Sequence, residues 1–70
     1  MINVQFILPP KVIKALAKRI PLTHKNGQHG YFADVSIEEF WNVAYRLVTS
    51  GYRIDIKPGA TVVLQARKEN

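Results

Sequence analysis

The stretch Ser36–Gly51, SIEEFWNVAYRLVTSG, predicts a helix whose two ends are both marked. The Ser36 hydroxyl can accept a hydrogen bond from the backbone N–H of Glu39, and the Glu39 carboxylate can reach back to complete a capping box. Glu38 and Glu39 also place negative charge at the positive end of the helix dipole. Gly51 can adopt the left-handed conformation that commonly ends a helix.

This predicted helix has a broad apolar side. At about 100° per residue, one arc collects Ile37, Phe40, Trp41, Val43, Ala44, Tyr45, Leu47 and Val48. An arc of this width favours contact with more than one layer, such as a sheet and a second element. Trp41 and Tyr45 lie at its edge, where such residues usually belong to the core. Because tryptophan and tyrosine are also favoured interface anchors, both are candidate protein-interface residues.

The chain before this helix predicts a strand, a helix, a turn-rich loop and a second strand. Residues 2–8 alternate between apolar and polar, which is typical of a half-buried strand. Residues 11–20 show helical periodicity, and Pro21 marks the end of that helix. In residues 21–30, Asn26-Gly27 favours a hairpin turn, and both a short ribbon and a flexible loop remain open. Residues 31–35 are typical of a strand.

The chain after Gly51 predicts a C-terminal hairpin. Residues 52–57 alternate, residues 61–67 are rich in β-formers, and Pro58-Gly59 between them suits a type II turn. Because that turn matches strand twist poorly, a bulge or a longer loop is an alternative. The whole pattern predicts an α+β fold, with a single-layer, mainly antiparallel sheet packed against two helices in the order β-α-(loop or β)-β-α-β-β.

Composition narrows the class of protein. Seventy residues fit a single domain, residues 1–70, with a small core, and the 47% hydrophobic content favours folding over disorder. The chain has no cysteine, which excludes a disulfide framework and a thiolate metal site. Phe6–Leu8, the longest apolar run near the N-terminus, is too short to span a bilayer. We therefore expect a cytoplasmic protein with no membrane partner.

The net charge of +5 comes entirely from residues 1–30. That segment contains no acidic residue and five basic ones: Lys11, Lys14, Lys18, Arg19 and Lys25. In the predicted helix, the basic residues lie opposite the apolar side. Such a surface favours an acidic partner, which would be nucleic acid (DNA or RNA) or an acidic protein surface, and these five are candidate nucleic-acid-binding residues. A solvated face that keeps the protein soluble is the structural alternative.

No constellation of residues predicts catalysis or a metal site. His24 and His29 flank the Asn26-Gly27 turn, but zinc requires at least a third protein ligand, and Asp34 is the only carboxylate nearby in sequence. Ser36 is explained by its capping position. We therefore expect no enzyme activity and no cofactor.

Two short stretches resemble known nucleic-acid-binding families. Gly27-Gln28-His29-Gly30 resembles the GxxG loop of KH domains, which implies contact with a single-stranded backbone. The opening INVQFILPPKVIKAL resembles the start of ribbon-helix-helix repressors. That resemblance implies a dimer in which Asn3 and Gln5 read bases in the major groove.

The sequence therefore favours a small, basic, non-enzymatic regulatory module that binds nucleic acid through residues 11–25. The alternative is a small protein-binding regulator or inhibitor, of the kind found among phage accessory proteins, that docks on a partner protein. A homodimer is compatible with both functions.

Overall fold

The computed structural model describes residues 1–68, which form two helices and four strands. In chain order these are β1 (Ile2–Ile7), α1 (Pro10–Leu16), β2 (Tyr31–Val35), α2 (Ile37–Thr49), β3 (Tyr52–Lys57) and β4 (Thr61–Lys68). The predicted α+β class and the predicted order of elements are confirmed.

The four strands form one mixed sheet in the order β2-β1-β4-β3. The two outer pairs are antiparallel, whereas β1 and β4 at the centre are parallel. The C-terminal hairpin has the longer loop rather than a tight type II turn. Its pair nearest the loop is Lys57 with Val63, which leaves residues 58–62 between the paired strands. Thr61 and Val62 pair instead with Asn3 and Val4 of β1.

One face of the sheet carries the core. Val4, Phe6 and Leu64 are completely buried on the two central strands. The helices cover this face with a further set of buried side chains: Leu16, Phe40, Val43, Ala44 and Leu47. Strand alternation sends the neighbouring side chains to the opposite face, which neither α1 nor α2 covers.

On that open face, the Asn3 side chain forms hydrogen bonds that connect β1 to both of its neighbouring strands. Its Nδ2 donates to Asp34 Oδ1 at 3.0 Å, and its Oδ1 accepts from Thr61 Oγ1 at 2.9 Å. Gln5 Nε2 donates to the backbone oxygen of His29 at 2.8 Å. The ribbon-helix-helix expectation is therefore wrong, because β1 has strand partners of its own chain on both sides and its amide side chains bond within the molecule.

Helix α2 begins and ends where the sequence predicted. Ser36 Oγ accepts from the backbone N–H of Glu39 at 3.0 Å, and Gly51 follows the helix with φ = 90°. The Glu39 carboxylate faces Arg19 of the α1 segment at 3.8 Å instead of completing the capping box.

Helix α1 is shorter than the predicted residues 11–20. It starts at Pro10, and Leu16 is its last residue. The backbone N–H groups of Lys18 and Arg19 then bond three residues back, at 3.3 and 2.9 Å. This tightened turn before Pro21 still buries Ile20.

The turn-rich loop is held at its base. Thr23 and Phe32 exchange two backbone hydrogen bonds of 2.8 Å, which form a single bridge rather than a ribbon. Gly30 has φ = 71°, and a Cβ there would collide with the Phe6 carbonyl. The loop joins α1 to β2 rather than one helix to another, and packing explains Gly30, so the KH resemblance does not extend to the structure.

Candidate functional site

A cleft of about 370 Å³ lies between α1 and α2. We call it the basic cleft; its lining residues are Lys11, Val12, Ala15, Leu16, Arg19, Val43, Arg46, Leu47, Ser50 and Tyr52. The floor is mainly aliphatic because both helices turn their core-facing sides toward it. The polar atoms belong to the rim.

Three cations from two helices stand around this cleft. Lys11 and Arg19 come from the α1 segment and Arg46 from the last turns of α2. Within residues 1–68, the lining contains no acidic residue. Glu39 lies 3.8 Å from Arg19 and offsets part of that charge, so Lys11 and Arg46 supply most of the net positive charge of the rim.

Two of the remaining predicted cations extend this surface, and one lies elsewhere. Lys14 and Lys18 are exposed on the outer side of the α1 segment, next to the cleft. Lys25 instead places its Nζ 4.3 Å from the centroid of the Phe32 ring. Because Phe32 points to the open face of the sheet, Lys25 lies on the far side of the sheet from α1.

The open face of the sheet has mixed charge. It carries four cations and two acids: Lys25, Arg53, Lys57, Arg67, Asp34 and Asp55. Arg53 and Arg67 face each other across β3 and β4, and Asp55 lies two residues from Arg53 on the same face. The basic cleft therefore offers the more uniform positive potential.

A second surface runs along α2. Four large apolar side chains are more than half exposed there, with exposed fractions of 57% for Ile37, 55% for Trp41, 71% for Tyr45 and 51% for Val48. We call them the apolar stripe. Trp41 rests edge-on against Phe40, with 5.1 Å between the ring centroids.

The helical wheel of α2 separates the two surfaces. With Ile37 at 0° and about 100° per residue, the stripe spans about 0–80° and the buried residues about 240–340°. Glu39 and Arg46, which face α1, fall near 180–200° by the same estimate. The basic cleft and the apolar stripe therefore flank the buried side of α2 from opposite directions.

The structure adds residues that the sequence did not single out. Arg46 and Tyr52 join the basic cleft, and Ile37 and Val48 join Trp41 and Tyr45. The signal for the stripe was the width of the α2 arc, since the sheet can bury only part of it. No local pattern links Arg46 or Tyr52 to the lysines, because tertiary packing brings them together.

The two histidines lie apart from both surfaces. His24 packs against Tyr31, with ring centroids 5.7 Å apart. In residues 1–68, no three His, Asp or Glu side chains are grouped as metal ligands. Neither α1 nor α2, the helices of that range, has the length and apolar character to cross a membrane.

Comparisons with known proteins return no match. No protein-family model, curated protein or solved structure matches this chain. The chemistry of the two surfaces is therefore the basis for proposing a function.

Proposed function

We propose that this protein is a regulatory module that binds nucleic acid at the basic cleft and the adjoining lysines of α1. One observation carries the proposal: Lys11, Arg19 and Arg46 surround a cleft whose lining, within the described chain, has no acidic residue. Lysine and arginine side chains that neutralise phosphates release counterions, which drives binding to a polyanion.

The length of the basic surface suits a phosphate backbone. Lys11 and Lys18 are seven residues apart on the α1 segment, about 10 Å at the helical rise per residue. Lys14 lies between them, so successive phosphates can meet successive cations.

The apolar floor favours single strands over duplexes. An unpaired base can enter an apolar cleft, whereas a paired base cannot leave its stack without cost. Tyr52 at the cleft supplies a half-buried aromatic ring, which packs against the core and has Lys68 Nζ 5.9 Å from its centroid. Base stacking on an aromatic ring contributes about 1–3 kcal/mol. The expected ligand is a single strand whose phosphates lie on the rim and one of whose bases occupies the floor.

A salt titration with matched variants tests this proposal. Fluorescence anisotropy with a labelled single strand of about 12 nucleotides, a length typical of one small binding site, gives the affinity of each protein. We expect Lys11→Gln with Arg46→Gln to weaken binding at least tenfold. Removing two phosphate contacts should also flatten the slope of log K against log[salt] by about 1.4.

The matched control is Lys57→Gln with Arg67→Gln on the open face of the sheet. It removes the same charge, so it should change affinity less than about twofold if position rather than net charge decides binding. Equal losses in both double variants, or no binding by the wild type at low salt, would refute the proposal. A duplex of equal length that binds as tightly as the single strand would refute the role of the apolar floor.

The second candidate function, docking on a protein surface, is favoured by the apolar stripe. Clusters of exposed apolar side chains commonly mark protein contacts, and Trp41 and Tyr45 are of the types that dominate such contacts. Because the stripe and the basic cleft lie on opposite flanks of α2, both can operate in one molecule. Tyr45→Glu should therefore leave the affinity for the 12-nucleotide strand unchanged.

A further inference from the structure

We propose that the apolar stripe is a self-association surface, on which α2 packs antiparallel against α2 of a second copy of this chain. This inference does not depend on the proposed function, because none of the cleft cations belongs to the stripe. It rests on the order of the stripe residues, on the uncharged character of most of their surroundings and on the area that they expose.

The order of residues makes the stripe nearly self-complementary. The two aromatic residues, Trp41 and Tyr45, are central, and β-branched aliphatic residues, Ile37 and Val48, lie at the ends. A two-fold axis that crosses the stripe midway between Trp41 and Tyr45 brings Trp41 of one copy opposite Tyr45 of the other, and Ile37 opposite Val48. This is the pattern of an isologous interface, in which the same patch serves both partners.

The electrostatics permit a second copy at this surface. On the wheel, the stripe is bordered by Glu38, Asn42 and Thr49 on its polar side and by the core on the other. The cations of the basic cleft lie on the opposite flank, so two stripes can meet without placing them face to face. At physiological salt the remaining repulsion between two basic molecules is screened beyond about 8 Å.

The exposed area limits the size of the contact. An aromatic side chain has about 150–250 Å² of surface to bury, and Trp41 and Tyr45 are each more than half exposed. Together with the exposed parts of Ile37 and Val48, the stripe presents roughly 400 Å² per chain. Two stripes together then bury at most about 800 Å², which is below the roughly 1,200 Å² where standard interfaces begin and places the contact among the weak, transient ones. We therefore expect a reversible dimer with a dissociation constant in the micromolar range.

Sedimentation equilibrium across about 1–500 µM, a range that brackets micromolar dissociation constants, tests the dimer. The wild type should shift from the monomer mass toward twice that mass, and added salt should strengthen association, since it screens the repulsion. Tyr45→Glu should remain monomeric at every concentration. Asn42→Glu makes the same charge change outside the stripe and should dimerise like the wild type.

Cysteine crosslinking tests the antiparallel arrangement, because the natural chain contains no cysteine. A mixture of Ile37→Cys and Val48→Cys chains should form a disulfide-linked heterodimer under mild oxidation. Ile37→Cys alone should crosslink poorly, since its two copies would lie about 18 Å apart along the helix axes. Parallel packing predicts the reverse and would overturn the geometry.

Three further results would overturn the proposal. The first is a wild type that stays monomeric throughout the range, which would leave the stripe to a different protein. The second is a dimer that persists in both Tyr45→Glu and Val48→Glu, each shown to be folded by circular dichroism. The third is a dimer lost equally in Asn42→Glu, which would indicate a general charge effect.

Discussion

At the scale of single residues, Gly27 and Gly30 illustrate two different physical reasons why a position requires glycine. Both have positive φ, 71° and 75°, but only Gly30 lies where a Cβ would collide with the backbone carbonyl of Phe6. Gly27→Ala should cost about 1 kcal/mol for the left-handed conformation alone. Gly30→Ala should cost about 1–3 kcal/mol more, because overpacking is added.

Urea unfolding of the two alanine variants measures this difference. The shared backbone strain cancels in the comparison, so the excess loss in Gly30→Ala reports the contact with β1. Equal losses in the two variants would show that the loop moves away from β1 at little cost.

At the scale of elements, the cap of α2 depends on one side-chain hydrogen bond. Ser36→Ala leaves the backbone N–H of Glu39 without its 3.0 Å partner and should lower the free energy of unfolding by about 1 kcal/mol. Ser36→Asp keeps an acceptor and should restore most of it. Thermal or urea unfolding of both variants measures these changes in the free energy of unfolding. An aspartate variant as unstable as the alanine variant would contradict the capping role.

The elements also show what local sequence can predict. The limits of α2 follow from a cap and a glycine, and β1 follows from alternation, all of which act within a few residues. The parallel pairing of β1 with β4 joins residues about sixty apart, and no periodicity encodes it. The same holds for the basic cleft: Lys11 and Arg19 were predicted as a set, but their meeting with Arg46 depends on how two helices pack.

Burial of the α2 arc was the least predictable part of the molecule. The wheel places Phe40 and Trp41 on one continuous apolar side, yet the first is buried and the second is exposed. A sheet only four strands wide and one short neighbouring helix cannot cover the whole arc. The small size of the core therefore explains why a surface remains for association.

At the scale of the whole molecule, the two proposed surfaces should act together on long strands. A dimer through the apolar stripe leaves both basic clefts exposed, so one strand can occupy two clefts. The second contact is then intramolecular, and effective concentration can raise affinity by orders of magnitude.

The length dependence of binding tests this coupling. Lengthening the single strand from about 12 to about 40 nucleotides, enough for two sites of the size that small modules cover, should raise the wild-type affinity at least tenfold. Tyr45→Glu should show only the few-fold statistical gain of a longer ligand, whereas Asn42→Glu should behave like the wild type. If the wild type binds the short strand but gains no more than Tyr45→Glu on the long one, the dimer does not bridge two clefts, while nucleic-acid binding at a single cleft stands. If neither strand binds, the proposed function fails, and the sedimentation experiment still decides the self-association of α2 by itself.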